Sequence, residues 1–154
     1  MSGTVDQRLK QLGIELPTPP AAVANYVPFV VSGRLVFVSG QLPLENGKLA
    51  VSGKLGAGVA VEDGVRAARL CAINLLAQAR AAAGGSLDGV RLLKLTAFVA
   101  SAPEFTDQPK VVNGASDLLA EVLGEAGRHA RAAVGAPSLP LDAAVEIEGI
   151  FELP

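Results

Sequence analysis

The chain has 154 residues, half of them apolar and 18% charged, and 13 basic against 15 acidic side chains leave a net charge of −2. That length suits one domain, spanning residues 1–154, and the apolar content excludes a disordered segment that buries too little surface to offset its ordering entropy. A slightly acidic balance supplies no dominant basic surface, so nucleic acid is a poor expected partner. The single cysteine, Cys71, allows neither an intrachain disulfide nor a cysteine-based tetrahedral zinc site within one chain, which fits a reducing cytoplasm. Residues 1–16 carry Asp6, Arg8, Lys10 and Glu15 among scattered apolar positions, without the continuous apolar run of a secretory signal. No later run reaches transmembrane length, so the expectation is a soluble, mature chain with no membrane partner.

Thr4 and Gln7 have capping-box spacing, and Val5, Leu9 and Leu12 then share one helical face before Gly13 stops the turn, which predicts a short docking helix. Pro17, Pro19 and Pro20 hold Leu16 to Ala22 extended, so residues 1–22 read as a helix and a proline strap. Tyr26 to Val31 and Leu35 to Ser39 are strand-like runs, and Ser32-Gly33 between them supplies the positive φ of a hairpin turn. Residues 40–60 are dense in turn formers and predict a loop with at most one short strand near Leu49 to Val51.

From Val61 the period becomes helical. Val65, Ala68, Ala72, Leu76 and Ala79 share a face, Glu62 and Asp63 suit the N-terminal dipole, and Gly84-Gly85 end the run. Leu92 to Ala100 predicts a buried strand, and a second helix from about Gln108 to Leu123 runs into Gly124 and Gly127. Ala130 to Ala136 and Ala143 to Leu153 are the closing strands; in the second, Val145, Ile147, Gly149, Phe151 and Leu153 alternate with Glu146, Glu148 and Glu152. The order ββαβαββ predicts an α+β fold with two helices on one face of a mixed sheet. The other face then needs water or a partner, and its apolar residues favour a partner. There is no internal repeat, heptad run, Walker loop or GxGxxG fingerprint, and Gly53, Gly56 and Gly58 lack the strand-to-helix spacing of a phosphate cradle.

Few side chains invite chemistry. His129 is the only histidine, and without a GxSxG elbow to present a serine it reads as an ordinary surface or turn residue. Cys71 lies in the apolar region of a long helix and reads as core packing. Glu146 and Glu148 stand one pleat repeat apart, about 6.6 to 6.8 Å, which suits either a general base with its partner or a solvated face; pattern alone favours the solvated face. Arg131 begins a strand of small apolar residues, where a guanidinium serves either to grip a carboxylate or to make a surface salt bridge. Asn113 shares its helix with Ser116 and Asp117 and reads as solvated, and Tyr26, the only tyrosine, reads as a strand-edge aromatic with a wet hydroxyl.

Four segments together are more specific. Asn25-Tyr26-Val27-Pro28, Val38-Ser39-Gly40-Gln41-Leu42-Pro43, Val112-Asn113, and Arg131 through Leu139-Pro140 to Val145-Glu146-Ile147-Glu148 resemble the RidA/YjgF family, also labelled L-PSP endoribonuclease. The resemblance runs from about residue 24 to the C-terminus. It implies a chorismate-mutase-like fold, a homotrimer, and a site at each subunit interface lined by Tyr26, Ser39, Gly40, Asn113, Arg131 and Glu146. The activity it implies is hydrolysis of reactive enamines and imines of 2-keto acids, releasing ammonia without a metal or organic cofactor. In that role Arg131 grips the substrate carboxylate and turns the imine carbon toward a water, while Glu146 positions that water or carries its proton.

Departures from the family pattern are local. Ala132-Ala133 stand where the deaminases often carry Ser-Cys, and the N-terminal helix, the strap and the longer loop at 44–58 mark a divergent branch. The leading expectation is an enamine/imine deaminase; the alternative is a non-catalytic homotrimer that binds a small carboxylate metabolite. An endoribonuclease ranks last, because the net charge is negative and no basic run or stacking platform is present.

Overall fold

Residues 3–19 and 25–154 are described by a computed structural model of the chain. The first helix, α1 (Val5–Gln11), forms where the capping box predicts it. The Gln7 amide N–H donates to Thr4 Oγ at 3.2 Å, and the Thr4 N–H donates to the Gln7 side chain at 2.9 Å. Val5 and Leu9 are buried, and Gly13 turns the chain at φ 69°. Leu16 at the head of the proline strap is also buried, whereas residues 20–22 of that strap lie outside the described residues.

The hairpin of β1 (Phe29–Ser32) and β2 (Leu35–Gln41) pairs Ser32 with Leu35, so the turn residues are Gly33 and Arg34 rather than Ser32-Gly33. Gly33 supplies the positive φ, at 60°. The first strand starts at Phe29 and not at Tyr26, since Pro28 has no N–H to offer a ladder. The excursion at 40–60 holds more strand than the expected single piece. Here β3 (Leu44–Glu45) and β4 (Lys48–Leu49) close around Asn46-Gly47, both at positive φ, and β5 (Lys54–Leu55) runs parallel to β6 (Gly58–Val59). Asn-Gly flanked by leucines is the hairpin signal that a count of turn formers conceals.

Two helices, α2 (Val61–Ala82) and α3 (Gln108–Leu123), pack on one another and on a five-stranded sheet completed by β7 (Arg91–Ala100), β8 (Ala130–Ala136) and β9 (Val145–Glu152). The sheet order is β1-β2-β9-β7-β8, with β7 and β8 parallel and the other neighbours antiparallel. This is the expected ββαβαββ arrangement, mixed and covered by helices on one side. The helices approach closely at Gly114, where a Cβ would collide with the Val65 carbonyl oxygen.

The core lies between helices and sheet. Leu75, Leu76, Leu118 and Leu119 meet Leu92, Leu95, Ile147 and Phe151 there, all fully buried. Each such side chain contributes about 1.5 to 3 kcal/mol relative to exposure. Cys71 belongs to this core: its thiol donates to the Val145 carbonyl at 3.6 Å, and burial, reinforced by the charge of Glu146, pushes it well above the ordinary thiol range. On the other side of the sheet the β9 alternation holds as read, with Glu148 exposed and Glu146 half-buried. Phe37 and Val134 stand on that uncovered side, paired with Ile150 and Phe98.

Candidate functional site

The residues singled out in the sequence fall into two groups. The first surrounds Glu146 on β9. Opposite it, the β2–β9 register shifts between Val38 and Gln41, and this irregularity turns Gly40 toward the Glu146 carboxylate. A Cβ on Gly40 would lie 2.7 Å from Glu146 Oε1, so the missing side chain is what makes room for the acid. Burial, helped by the negative charge of Glu148, raises the Glu146 carboxyl above its ordinary value. Ser39 is spent structurally: its Oγ donates to the Val27 carbonyl at 2.8 Å and its N–H to the Pro28 carbonyl at 2.8 Å. Both bonds moor the segment that carries Tyr26, whose side chain is exposed.

The second group surrounds Arg131 on β8. An open cleft of about 420 Å³ is lined by Asn113, Ser116 and Asp117 from α3 and by Arg128, His129 and Arg131 from the returning chain. The return is set by glycine. Gly124 ends α3 at φ 67°, and Gly127 packs against the Leu119 carbonyl where a Cβ would collide, which lays His129 back along the helix against Ser116. Arg131 Nη1 donates to Ser116 Oγ at 3.0 Å, and Nη2 to the Pro109 carbonyl at 3.4 Å. Among the described residues no carboxylate lies within ion-pair distance of its guanidinium, so none of them neutralises the charge. Ser116 and His129 are the residues that sequence reasoning passed over. The only local hint is that His129 and Arg131 are two apart and project alike from one strand path.

Within one chain the two groups are separated. Arg131 pairs with Leu95 in the β7–β8 ladder and so lies on the helix-covered side, whereas Glu146 pairs with Phe98 and lies on the uncovered side. Strand β7 also stands between their strands. Inside a single subunit, therefore, Glu146 and Arg131 do not face one another. Among the described residues, no group of three or more His, Cys, Asp or Glu is placed to hold a metal ion, and no helix is long and apolar enough to cross a membrane.

Residues 6–153 match the family described as "YjgF/chorismate_mutase-like, putative endoribonuclease". The chain is 49% identical over 154 residues to Protein TCP17 of Trypanosoma cruzi, covering 99% of this chain and 96% of that protein. Its fold superposes on the crystal structure of Atu1372 from Agrobacterium tumefaciens with a TM-score of 0.92 and 56% identity, over 97% of this chain and 92% of the other. It is also similar to Escherichia coli TdcF crystallised with bound serine, at TM-score 0.65 and 28% identity, over 89% of this chain and 94% of TdcF. The mixed sheet with helices on one side is the fold shared with these structures, and the chain belongs to the YjgF/RidA family.

Proposed function

We propose that this protein is a cytoplasmic enamine/imine deaminase that works as a homotrimer, each chain folding as one unit and each site assembled between two subunits. The observation that carries the reading is the split of Arg131 and Glu146 across the sheet: a clamp and a base on opposite faces meet only if a second copy brings one to the other. Apolar residues on the uncovered face, Phe37 and Val134 among them, support that association. Serine bound to TdcF supports a site suited to a small amino-acid-like carboxylate.

The chemistry follows from the two groups. Arg131 holds the carboxylate of a 2-imino acid through paired N–H bonds and orients the C=N carbon. Glu146, raised in pKa and therefore a stronger base than a solvated carboxylate, takes a proton from water as its oxygen bonds to that carbon. Returning that proton to nitrogen gives a neutral carbinolamine; Glu146 then carries the carbinolamine hydroxyl proton to nitrogen, and the C–N bond breaks as the C=O forms, giving a 2-keto acid and ammonia. The sequence of steps needs no metal or organic cofactor. Tyr26, Ser39, Gly40 and Asn113 would shape the pocket, with Ser39 acting through the segment it moors.

The test couples an amino-acid oxidase, which makes imines in situ, to semicarbazide trapping. Wild type should suppress the trapped product from alanine-, leucine- or methionine-derived imines, and Arg131→Ala should not. Light scattering after size exclusion should give three chains per particle; a monomer at micromolar concentration would remove the basis of the shared site. The second reading, a non-catalytic trimer that binds carboxylate metabolites, is favoured by the bound serine of TdcF and is selected if 2-keto acids bind but no imine turns over.

A further inference from the structure

Arg131 sits at the head of a directed chain of hydrogen bonds. Its Nη1 donates to Ser116 Oγ, Ser116 Oγ lies 2.9 Å from His129 Nε2, and His129 Nδ1 lies 2.7 Å from the Gly127 carbonyl oxygen. A carbonyl only accepts, so Nδ1 carries the ring proton, and in the neutral imidazole Nε2 is an acceptor. The Ser116 hydroxyl proton then points at His129, which leaves an oxygen lone pair for the guanidinium. All the polarities run one way, from arginine through serine and histidine to the backbone.

We propose that Ser116 and His129 are positioning residues for Arg131, holding its guanidinium where its remaining donors meet a substrate carboxylate. This rests on the reading of Arg131 as the carboxylate clamp. A guanidinium has five N–H donors; Ser116 and the Pro109 carbonyl take one each, and three remain, enough for a two-pronged grip. A free arginine gives up side-chain freedom when it captures an anion, and one already tethered by a helix has less to give up. Neither Ser116 nor His129 needs to touch the reacting atoms, so the effect should fall on capture and not on the chemical step.

The experiment measures imine hydrolysis, and pyruvate binding by calorimetry, for the trimer carrying Ser116→Ala, Ser116→Thr, His129→Ala, His129→Gln and the double alanine variant. Losing a hydrogen bond to a charged group should raise KM and the pyruvate Kd about tenfold while kcat stays within about twofold. Threonine keeps the hydroxyl and glutamine offers an oxygen in place of Nε2, so both should bind pyruvate nearly as wild type does. The double variant should be no worse than the weaker single one, because the two residues act in series. Unchanged Kd in both alanine variants overturns the proposal, as does a loss confined to kcat, or rescue variants as weak as alanine in a folded trimer. Wild type that binds pyruvate without turning over any imine removes the deaminase reading, while the Kd series still decides the positioning role. Wild type that binds no 2-keto acid overturns both.

Discussion

On the helix-covered side of the sheet, Leu95, Ile147 and Phe151 are sealed under α2 and α3, whereas on the other side Phe37 and Val134 remain 43% and 44% exposed. The covered side is finished within one chain; the uncovered side is apolar enough to be costly in water and carries the half-buried Glu146 among its neighbours. One face serves stability and the other, in the proposed trimer, serves association, and each face carries one of the two groups that the proposed chemistry joins.

The sharpest way to break that contrast is subunit mixing. Arg131→Ala and Glu146→Gln should each lose about a hundredfold or more in kcat/KM. Refolded together in equal amounts, they should regain activity approaching about a quarter of wild type, since random assembly leaves that share of sites with an intact arginine from one copy and an intact glutamate from another. No recovery in mixed trimers would mean that both groups act within one chain.

Next come the two faces themselves. Leu75→Ala, beneath the helices, should lower stability by about 2 to 5 kcal/mol in urea unfolding. Phe37→Ser should change the stability of the isolated subunit far less, yet shift the particle from trimer toward monomer by light scattering.

A smaller effect separates the two faces by pH. The folded chain holds the Glu146 proton to higher pH than the unfolded chain does, because of burial and then Glu148. The associated stability is complete below the unfolded pKa and declines as pH rises through the raised folded value. Urea titrations of Glu146→Gln should lack that decline just above the ordinary carboxylate range. In activity profiles, Glu148→Gln should move the acidic limb of kcat/KM to lower pH. Gly40→Ala should have the mildest outcome, a several-fold fall in kcat as its methyl displaces the carboxylate 2.7 Å away, with the melting temperature little changed.

What was legible in the sequence is what depends on neighbours along the chain. The Thr4 capping box, the ends of α2 and α3 at glycine, and the alternation of Val145 to Phe151 against the glutamates are local patterns, and the fold follows from their order. The motif segments singled out Arg131, Glu146 and Gly40. What stayed hidden depends on register. Strand parity gives the face of Arg131 or of Glu146 within its own strand, but whether those faces agree is fixed only by how both pair with β7. Ser116 and His129 are 13 residues apart and meet only because the turn at Gly127 folds back on α3. The apolar run around Tyr26 has the pattern of a strand, yet the missing donor at Pro28 delays the strand to Phe29.

In the proposed trimeric enzyme, the division of Arg131 and Glu146 between two faces of one sheet would also tie catalysis to abundance. If neither half is competent until subunits meet, specific activity becomes a function of concentration, falling faster than linearly on dilution below the trimer's apparent dissociation constant. A cell making little of the protein would then hold folded chains with almost no working sites, and modest overexpression would raise activity out of proportion to the protein added.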